Sequence, residues 1–254
     1  MRFDFSDKRV LVTGGTRGIG NAVAKAFLTA GAIVAVNGRS EQSVNAAIKA
    51  MGDNKRLISA PGDIGAVAGC EASVNLAIES LGGLDILINS AGVAEAVPIE
   101  ASDERLWDNT MNINLLGTFF CSRAALRALR SSKGNIVNVA SDAGLMGVQN
   151  STVYCASKAG VVNLTRAMAL ELAPDVRVNC VCPGYVDTDM VRRDWIEQED
   201  NPQEAEEFLK SYAPLNRLAT PEEIAHSILY LASPDARFAT GTALQIDGGT
   251  TAGR

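Results

Sequence analysis

The chain of 254 residues carries one histidine, His226. Zinc centres of the usual kind and Ser-His-Asp hydrolysis both want histidine at the chemistry, so neither class fits. His226 falls in a late helical pattern, Pro221 to Leu231, and reads as an ordinary helix residue. No Cys-x-x-Cys pair occurs. The five cysteines (Cys70, Cys121, Cys155, Cys180, Cys182) form an odd set without framework spacing, which reads as reduced thiols. Cys180 and Cys182 would share one strand face as small buried hydrophobes. Basic blocks are also missing. Net charge is −6 with a pI near 4.9, which excludes nucleic acid and anionic membrane surfaces as partners. No apolar run is as long as a membrane span. The start, Met1 to Lys8, lacks the apolar core of a signal peptide, so a cytoplasmic protein is expected.

What is present is alternation. Short apolar runs at 9–13, 32–36, 56–60, 84–89, 135–139, 176–181 and 243–246 are separated by helical patterns at 21–30, 41–51, 67–81, 103–130 and 152–173. Strands apolar throughout, with helices between them, describe a parallel sheet covered on both faces. The expected fold is therefore α/β, a doubly wound parallel seven-stranded sheet of Rossmann type, a three-layer αβα sandwich. One domain over 1–254 is expected, with no linker, low-complexity tract or repeat. The acidic, polar stretch 187–214 reads as a candidate substrate lid within it.

Tyr154 and Lys158 stand one turn apart on one face of the long helical pattern. A tyrosine titrates near 10, and bringing it close to neutrality takes about 4 kcal/mol. A positive charge at about 4 Å supplies roughly that in an effective dielectric of about 20. This spacing predicts a phenol made acidic by an ammonium.

The first strand runs into Thr13-Gly14-Gly15-Thr16-Arg17-Gly18-Ile19-Gly20, and a helix follows. Glycines there let backbone N–H groups approach a phosphate at a helix N-terminus, which predicts dinucleotide binding. The second strand ends Val36-Asn37-Gly38-Arg39-Ser40, with no acidic residue to hold both ribose hydroxyls of NAD. Arg39 and Arg17 offer guanidiniums instead, which favours NADP over NAD. Asp63 either accepts from an adenine amino group or caps the next helix. Asn89-Ser90-Ala91-Gly92 closes the fourth strand with small residues across which a cofactor would lie.

Taken together these pieces resemble the short, single-domain branch of the short-chain dehydrogenase/reductase family, from Lys8 to about Ala252. The resemblance rests on the Thr13–Gly20 turn, Asn89–Gly92, Asn114, Ser141, Tyr154-x-x-x-Lys158, Pro183-Gly184, Thr188 and Asp247-Gly248-Gly249. Ser90, where the family usually has a second Asn, and Ala140 depart from the pattern. The resemblance implies hydride transfer between a nicotinamide and a carbonyl or alcohol. It implies a catalytic set of Asn114, Ser141, Tyr154 and Lys158, with Ser141 and Tyr154 on the substrate oxygen and Asn114 holding a relay water near Lys158. The implied cofactor set is Gly14, Thr16, Arg17, Gly18, Ile19, Gly20, Arg39, Asp63, Ile64, Asn89, Ala91, Gly92, Tyr154, Lys158, Pro183, Gly184, Val186 and Thr188. A homotetramer is likewise implied, and no metal.

The expected substrate is a small ketone or the matching secondary alcohol. Ala143, Gly144, Leu145 and Met146, with Met190, Trp195, Phe208 and Tyr212 of the lid segment, are candidates for an apolar pocket. Two other readings stay open: a 3-oxoacyl carrier-protein or acyl-CoA reductase, and a non-catalytic NADP-binding sensor or scaffold.

Overall fold

The computed structural model describes residues 3–253. Seven strands form one all-parallel sheet in the order β3-β2-β1-β4-β5-β6-β7. They are β1 (Arg9–Thr13), β2 (Ile33–Val36), β3 (Leu57–Ser59), β4 (Ile86–Asn89), β5 (Asn135–Val139), β6 (Arg177–Pro183) and β7 (Ala243–Ile246). Side chains alternate between the two faces. Val10, Val12, Val34, Val36, Ile86 and Ile88 meet helices α1 (Gly18–Thr29) and α9 (Pro221–Ala232) on one side through Val23, Phe27, Ile224 and Ile228. Leu11, Ala35, Leu87 and Ile136 meet α3 (Val67–Leu81), α5 (Gly117–Ser132) and α6 (Thr152–Leu172) on the other. Both faces are dry, and that is why the strands read as apolar throughout rather than alternating.

The chain lays β1, β2 and β3 outward in one direction, then returns to place β4 against the other side of β1. Thr13 and Asn89 pair across this reversal, at the carboxyl ends of β1 and β4. A crevice opens at such a switch point because the connections on either side leave in opposite directions. Thr13 secures it: its Oγ1 donates to the Ile88 carbonyl and accepts from the backbone N–H of Ser90 and of Ala91.

The expected continuous helix over 103–130 is two helices. A π-helical turn, Asn112–Leu116, lies between α4 (Glu104–Met111) and α5. The wider turn rotates Asn114 inward, where it is buried. Gly117 makes room at the joint, since a Cβ there would stand 2.8 Å from the Ile64 carbonyl oxygen. Residues 187–214 contain α7 (Asp189–Asp194), a 3-10 turn (Ile196–Gln198) and α8 (Pro202–Tyr212) around a small cluster of Val191, Ile196, Leu209 and Leu218. The remaining helix, α2 (Glu41–Ala50), buries Val44. No helix among the described residues is long and apolar enough to cross a membrane.

Candidate active site

A cleft of about 830 Å³ lies along the carboxyl edge of the sheet. Its first wall is the turn between β1 and α1. Gly14 and Gly18 adopt φ of +62° and +55°, and a Cβ on Gly14 would stand 2.6 Å from Ala91 Cα. Only glycine takes that conformation in that space without strain. Asn37 braces the turn. Its Oδ1 accepts from the Gly14 N–H, and its Nδ2 donates to the carbonyls of Ala60 and Gly62 and to Ser73 Oγ.

The start of α1 fits an anionic ligand. Its N-cap, Arg17, makes no side-chain cap and the first turn holds no acidic residue, so N–H groups there remain open for a phosphate. Arg17 and Arg39 both line the cleft, are exposed, and join no ion pair among the described residues. Ser90 Oγ is a buried hydroxyl without a hydrogen-bond partner, in a residue of the same wall. Asp63 also lines the cleft. Its Oδ1 accepts from the Gly65 N–H, while the N-cap of α3 is Ala66, so Asp63 closes its own loop rather than capping the helix.

The second wall comes from β5 and α6. After β5, Ser141 caps a 3-10 turn, Asp142–Gly144, that rests directly on the backbone of α6. A Cβ on Gly144 would lie 2.8 Å from both the carbonyl carbon and the carbonyl oxygen of Lys158. This close contact sets Ser141 beside Tyr154. The Ser141 hydroxyl partners the half-buried Tyr154 phenol, donates to Asp142 Oδ1 at 2.9 Å and accepts from the Ala143 N–H.

The electrostatics differ from the sequence expectation. Burial pushes the Tyr154 phenol up to about 12, with only the Ser141 hydrogen bond pulling the other way. Burial also lowers the Lys158 ammonium to about 8. The Lys158 nitrogen stands 5.7 Å from the Tyr154 ring centre and donates to the Val139 carbonyl at 2.9 Å. The ammonium is bound to the strand end rather than to the phenol, so desolvation outweighs its attraction.

Two expected residues stand behind the cleft rather than in it. Asn89 Nδ2 donates to Asn138 Oδ1 and Ser122 Oγ, tying β4 to β5 and α5. Asn114 Oδ1 accepts from the Val93 N–H, and its Nδ2 donates to the Val93 carbonyl and to Ser157 Oγ. Its side chain is therefore a brace, with one oxygen lone pair left for a water. Every other member of the implied set lines the cleft: Gly14, Thr16, Arg17, Gly18, Ile19, Gly20, Arg39, Asp63, Ile64, Ala91, Gly92, Ser141, Tyr154, Lys158, Pro183, Gly184, Val186 and Thr188. Thr188 caps the N-terminus of α7 and faces the glycine turn, its Cγ2 3.5 Å from where a Gly18 Cβ would be.

The far end is more apolar. Ala143, Met146, Met190, Trp195 and Tyr212 line it as expected, but Gly144, Leu145 and Phe208 do not. Phe208 is exposed and packs edge-on against Tyr212. Sequence reasoning missed Tyr185, Val93, Val148 and Asp142 in this lining. Asp142 and Tyr185 each follow a singled-out residue, Ser141 and Gly184, and that adjacency was the available signal.

A phosphate-ready glycine turn and a Ser–Tyr–Lys group on one crevice mark a nucleotide-dependent oxidoreductase, and the chain belongs to the short-chain dehydrogenase/reductase family, whose members use nicotinamide cofactors. The family described as "Enoyl-(Acyl carrier protein) reductase" matches residues 14–251. Among individual relatives, the chain is 38% identical over 242 residues to the (2S)-[(R)-hydroxy(phenyl)methyl]succinyl-CoA dehydrogenase subunit BbsD of Thauera aromatica, covering 94% of each chain. It is 35% identical over 244 residues to the 3-oxoacyl-[acyl-carrier-protein] reductase FabG of Vibrio harveyi, covering 95% of this chain and 96% of that one. A solved short-chain dehydrogenase/reductase from Brucella melitensis, described as a glucose/ribitol dehydrogenase, superposes with a TM-score of 0.90 at 35% identity, over 98% of this chain and 99% of that one.

Proposed function

We propose that this chain interconverts a small secondary alcohol and its ketone with NADP(H), using Tyr154 as general acid and base. The convergence of Ser141, Tyr154 and Lys158 on a cleft that also holds two unpaired guanidiniums carries this reading. The residues fit the cofactor: the Gly14–Gly20 turn and the start of α1 for its phosphates, Arg17 and Arg39 for a 2′-phosphate, Asp63 and Ile64 for adenine. Ala91, Gly92, Pro183, Gly184, Val186 and Thr188 would hold the nicotinamide half, and Lys158 its ribose. When bound, the nicotinamide supplies or accepts the hydride.

This chain's own residues handle the proton and the oxygen. Ser141 turns its one hydroxyl proton from Asp142 Oδ1 to the substrate oxygen and stabilises charge that develops there. Tyr154 gives its proton to that oxygen in reduction and, as phenolate, takes the hydroxyl proton in oxidation. A phenol held near 12 stays protonated at neutral pH, which suits reduction. The nearby Lys158 charge, present below about 8, offsets the negative charge left on the phenol. Asn114 orients Val93 and Ser157 behind them, and Ser157 in turn donates to the Tyr154 carbonyl. Residues 187–214 close over the substrate, with Met190, Trp195 and Tyr212 facing it.

The lid segment favours a small substrate over an acidic carrier protein. Its Arg192 is paired with Asp187 and Glu206 and its Lys210 with Glu206 and Glu207, and Arg193 is the one other cation in a segment dominated by Asp and Glu. The test is a spectrophotometric panel of ketones and secondary alcohols with NADPH and NADH. Turnover that is faster with NADPH is expected. Cofactor binding without turnover across the panel would instead make the chain a binding module. Activity confined to acetoacetyl thioesters, falling steeply with salt, would make it a carrier-protein or acyl-CoA reductase.

A further inference from the structure

Asn138 and Thr165 have no task in the mechanism above, and neither lines the cleft. Both are fully buried. Asn138 lies in β5, three residues before Ser141, and Thr165 lies in α6, eleven residues after Tyr154. Asn138 Nδ2 donates to Thr165 Oγ1 at 2.9 Å, and that hydroxyl donates to the Val161 carbonyl at 2.8 Å. Asn138 Oδ1 accepts from Asn89 Nδ2 at 2.9 Å, so the amide is held from the β4 side as well. On α6, Tyr154, Lys158, Val161, Thr165, Met168 and Leu172 follow at steps of four and three and share one stripe. Val161, Met168 and Leu172 are buried in apolar clusters. Apolar burial is non-directional, so it fixes a helix along a strand less sharply than a hydrogen bond does. A hydrogen bond holds only over a spread of about 0.5 Å, and a buried amide left unpaired is costly.

We propose that the Asn138–Thr165 hydrogen bond sets the register of α6 along β5, which makes both of them positioning residues for the Ser141–Tyr154 pair. This rests on the oxidoreductase reading and deepens it. Ser141 hangs from the end of β5, while Tyr154 and Lys158 stand on α6. Strand and helix are separate carriers, and the catalytic geometry depends on how one lies along the other. Thr165 sits three turns, about 16 Å, from Tyr154, and a helix carries a shift along its axis undiminished over that length. Asn138 sits about 10 Å of extended chain before Ser141. The bond thus joins the two carriers at a point well below the cleft. Nearer the cleft they meet again, where Lys158 Nζ donates to the Val139 carbonyl and where the Ser141 turn rests on the Lys158 backbone. Those upper contacts involve groups that act on the substrate or the cofactor. The lower one touches neither, so it works through position alone. A buried polar pair in an otherwise apolar layer is suited to specifying register.

The test measures kcat and KM on the best ketone of the panel, with NADPH affinity read by fluorescence titration, in the wild type, Thr165→Val and Thr165→Ser. Valine keeps the branched shape but offers Asn138 Nδ2 no acceptor, whereas serine keeps the acceptor. Assays run well below the melting transition of each variant, so that loss of folded protein does not enter the rate. In Thr165→Val, kcat should fall by about 10-fold, the scale of a sub-ångström misplacement, while NADPH affinity stays within about twofold. Thr165→Ser should recover kcat to within about twofold of the wild type. The same valine change in a Ser141→Ala background should cost no more than about twofold, because the relation it disturbs is already gone. A general loosening of the fold slows both backgrounds alike. If Thr165→Val fails to fold, Asn138→Ser takes its place: it can still accept from Asn89 but is too short to meet Thr165, and the same losses are expected. Undiminished kcat, no recovery with serine, NADPH affinity falling in step with kcat, or an equal loss in the Ser141→Ala background each overturn the inference and leave the oxidoreductase reading standing. Turnover of no alcohol or ketone by the wild type with either cofactor overturns both.

Discussion

The Lys158 ammonium donates to the Val139 carbonyl at 2.9 Å while standing 5.7 Å from the centre of the Tyr154 ring. One buried cation is thereby shared between the end of β5 and the face of a phenol. Neither contact repays its desolvation, and its proton is held less firmly than in water.

A stability signature follows. The unfolded chain holds the Lys158 proton up to the ordinary lysine value, whereas the fold releases it near 8. Between those values the unfolded state binds more protons, so stability rises with pH through that window, and below about 8 the full penalty is present. Lys158→Met removes the penalty but leaves the Val139 carbonyl without its donor. A net gain of about 1–2 kcal/mol is expected at neutral pH. Thermal melts at several pH values check it: the advantage of the variant should shrink from pH 8 upward, and a pH-independent advantage would deny the buried charge its cost.

Tyr154→Phe keeps the ring and loses the proton. Turnover should fall by about 10²–10⁴ or more, while NADPH affinity, read by fluorescence titration, stays near that of the wild type. A variant with undiminished kcat would remove Tyr154 from the chemistry.

Arg39→Asp replaces an unpaired guanidinium on the cleft rim with a carboxylate that accepts ribose hydroxyls and repels a 2′-phosphate. The ratio of kcat/KM with NADPH to that with NADH should invert. An unchanged ratio would place the phosphate away from Arg39.

Gly144→Ala puts a methyl group 2.8 Å from the Lys158 carbonyl, forcing the Ser141 turn off α6. A loss of about 1–3 kcal/mol is expected from overpacking. kcat should drop more than cofactor affinity, because Ser141 moves relative to Tyr154 while the glycine turn at Gly14–Gly20 is untouched. Equal losses in both would mean that the turn does not position Ser141.

Local chemistry made much of this protein legible. Strands β1, β5 and β7 and helix α3 fall at the residues where apolar runs and helical periodicity put them, because a sheet buried on both faces leaves its mark on every strand residue. The glycine turn and the Tyr154–Lys158 spacing are equally local, each within a single junction or one helical turn. The chain by itself thus determined the sheet and most of the lining of the crevice. Tertiary structure alone decided the rest. The π-helical turn at Asn112–Leu116 depends on close approach to Ile64, and the bracing roles of Asn89 and Asn114 on partners from other elements. The raised Tyr154 phenol and the raised Asp142 carboxyl follow from how much water packing removes, a quantity that belongs to the assembled core and to no single stretch of residues.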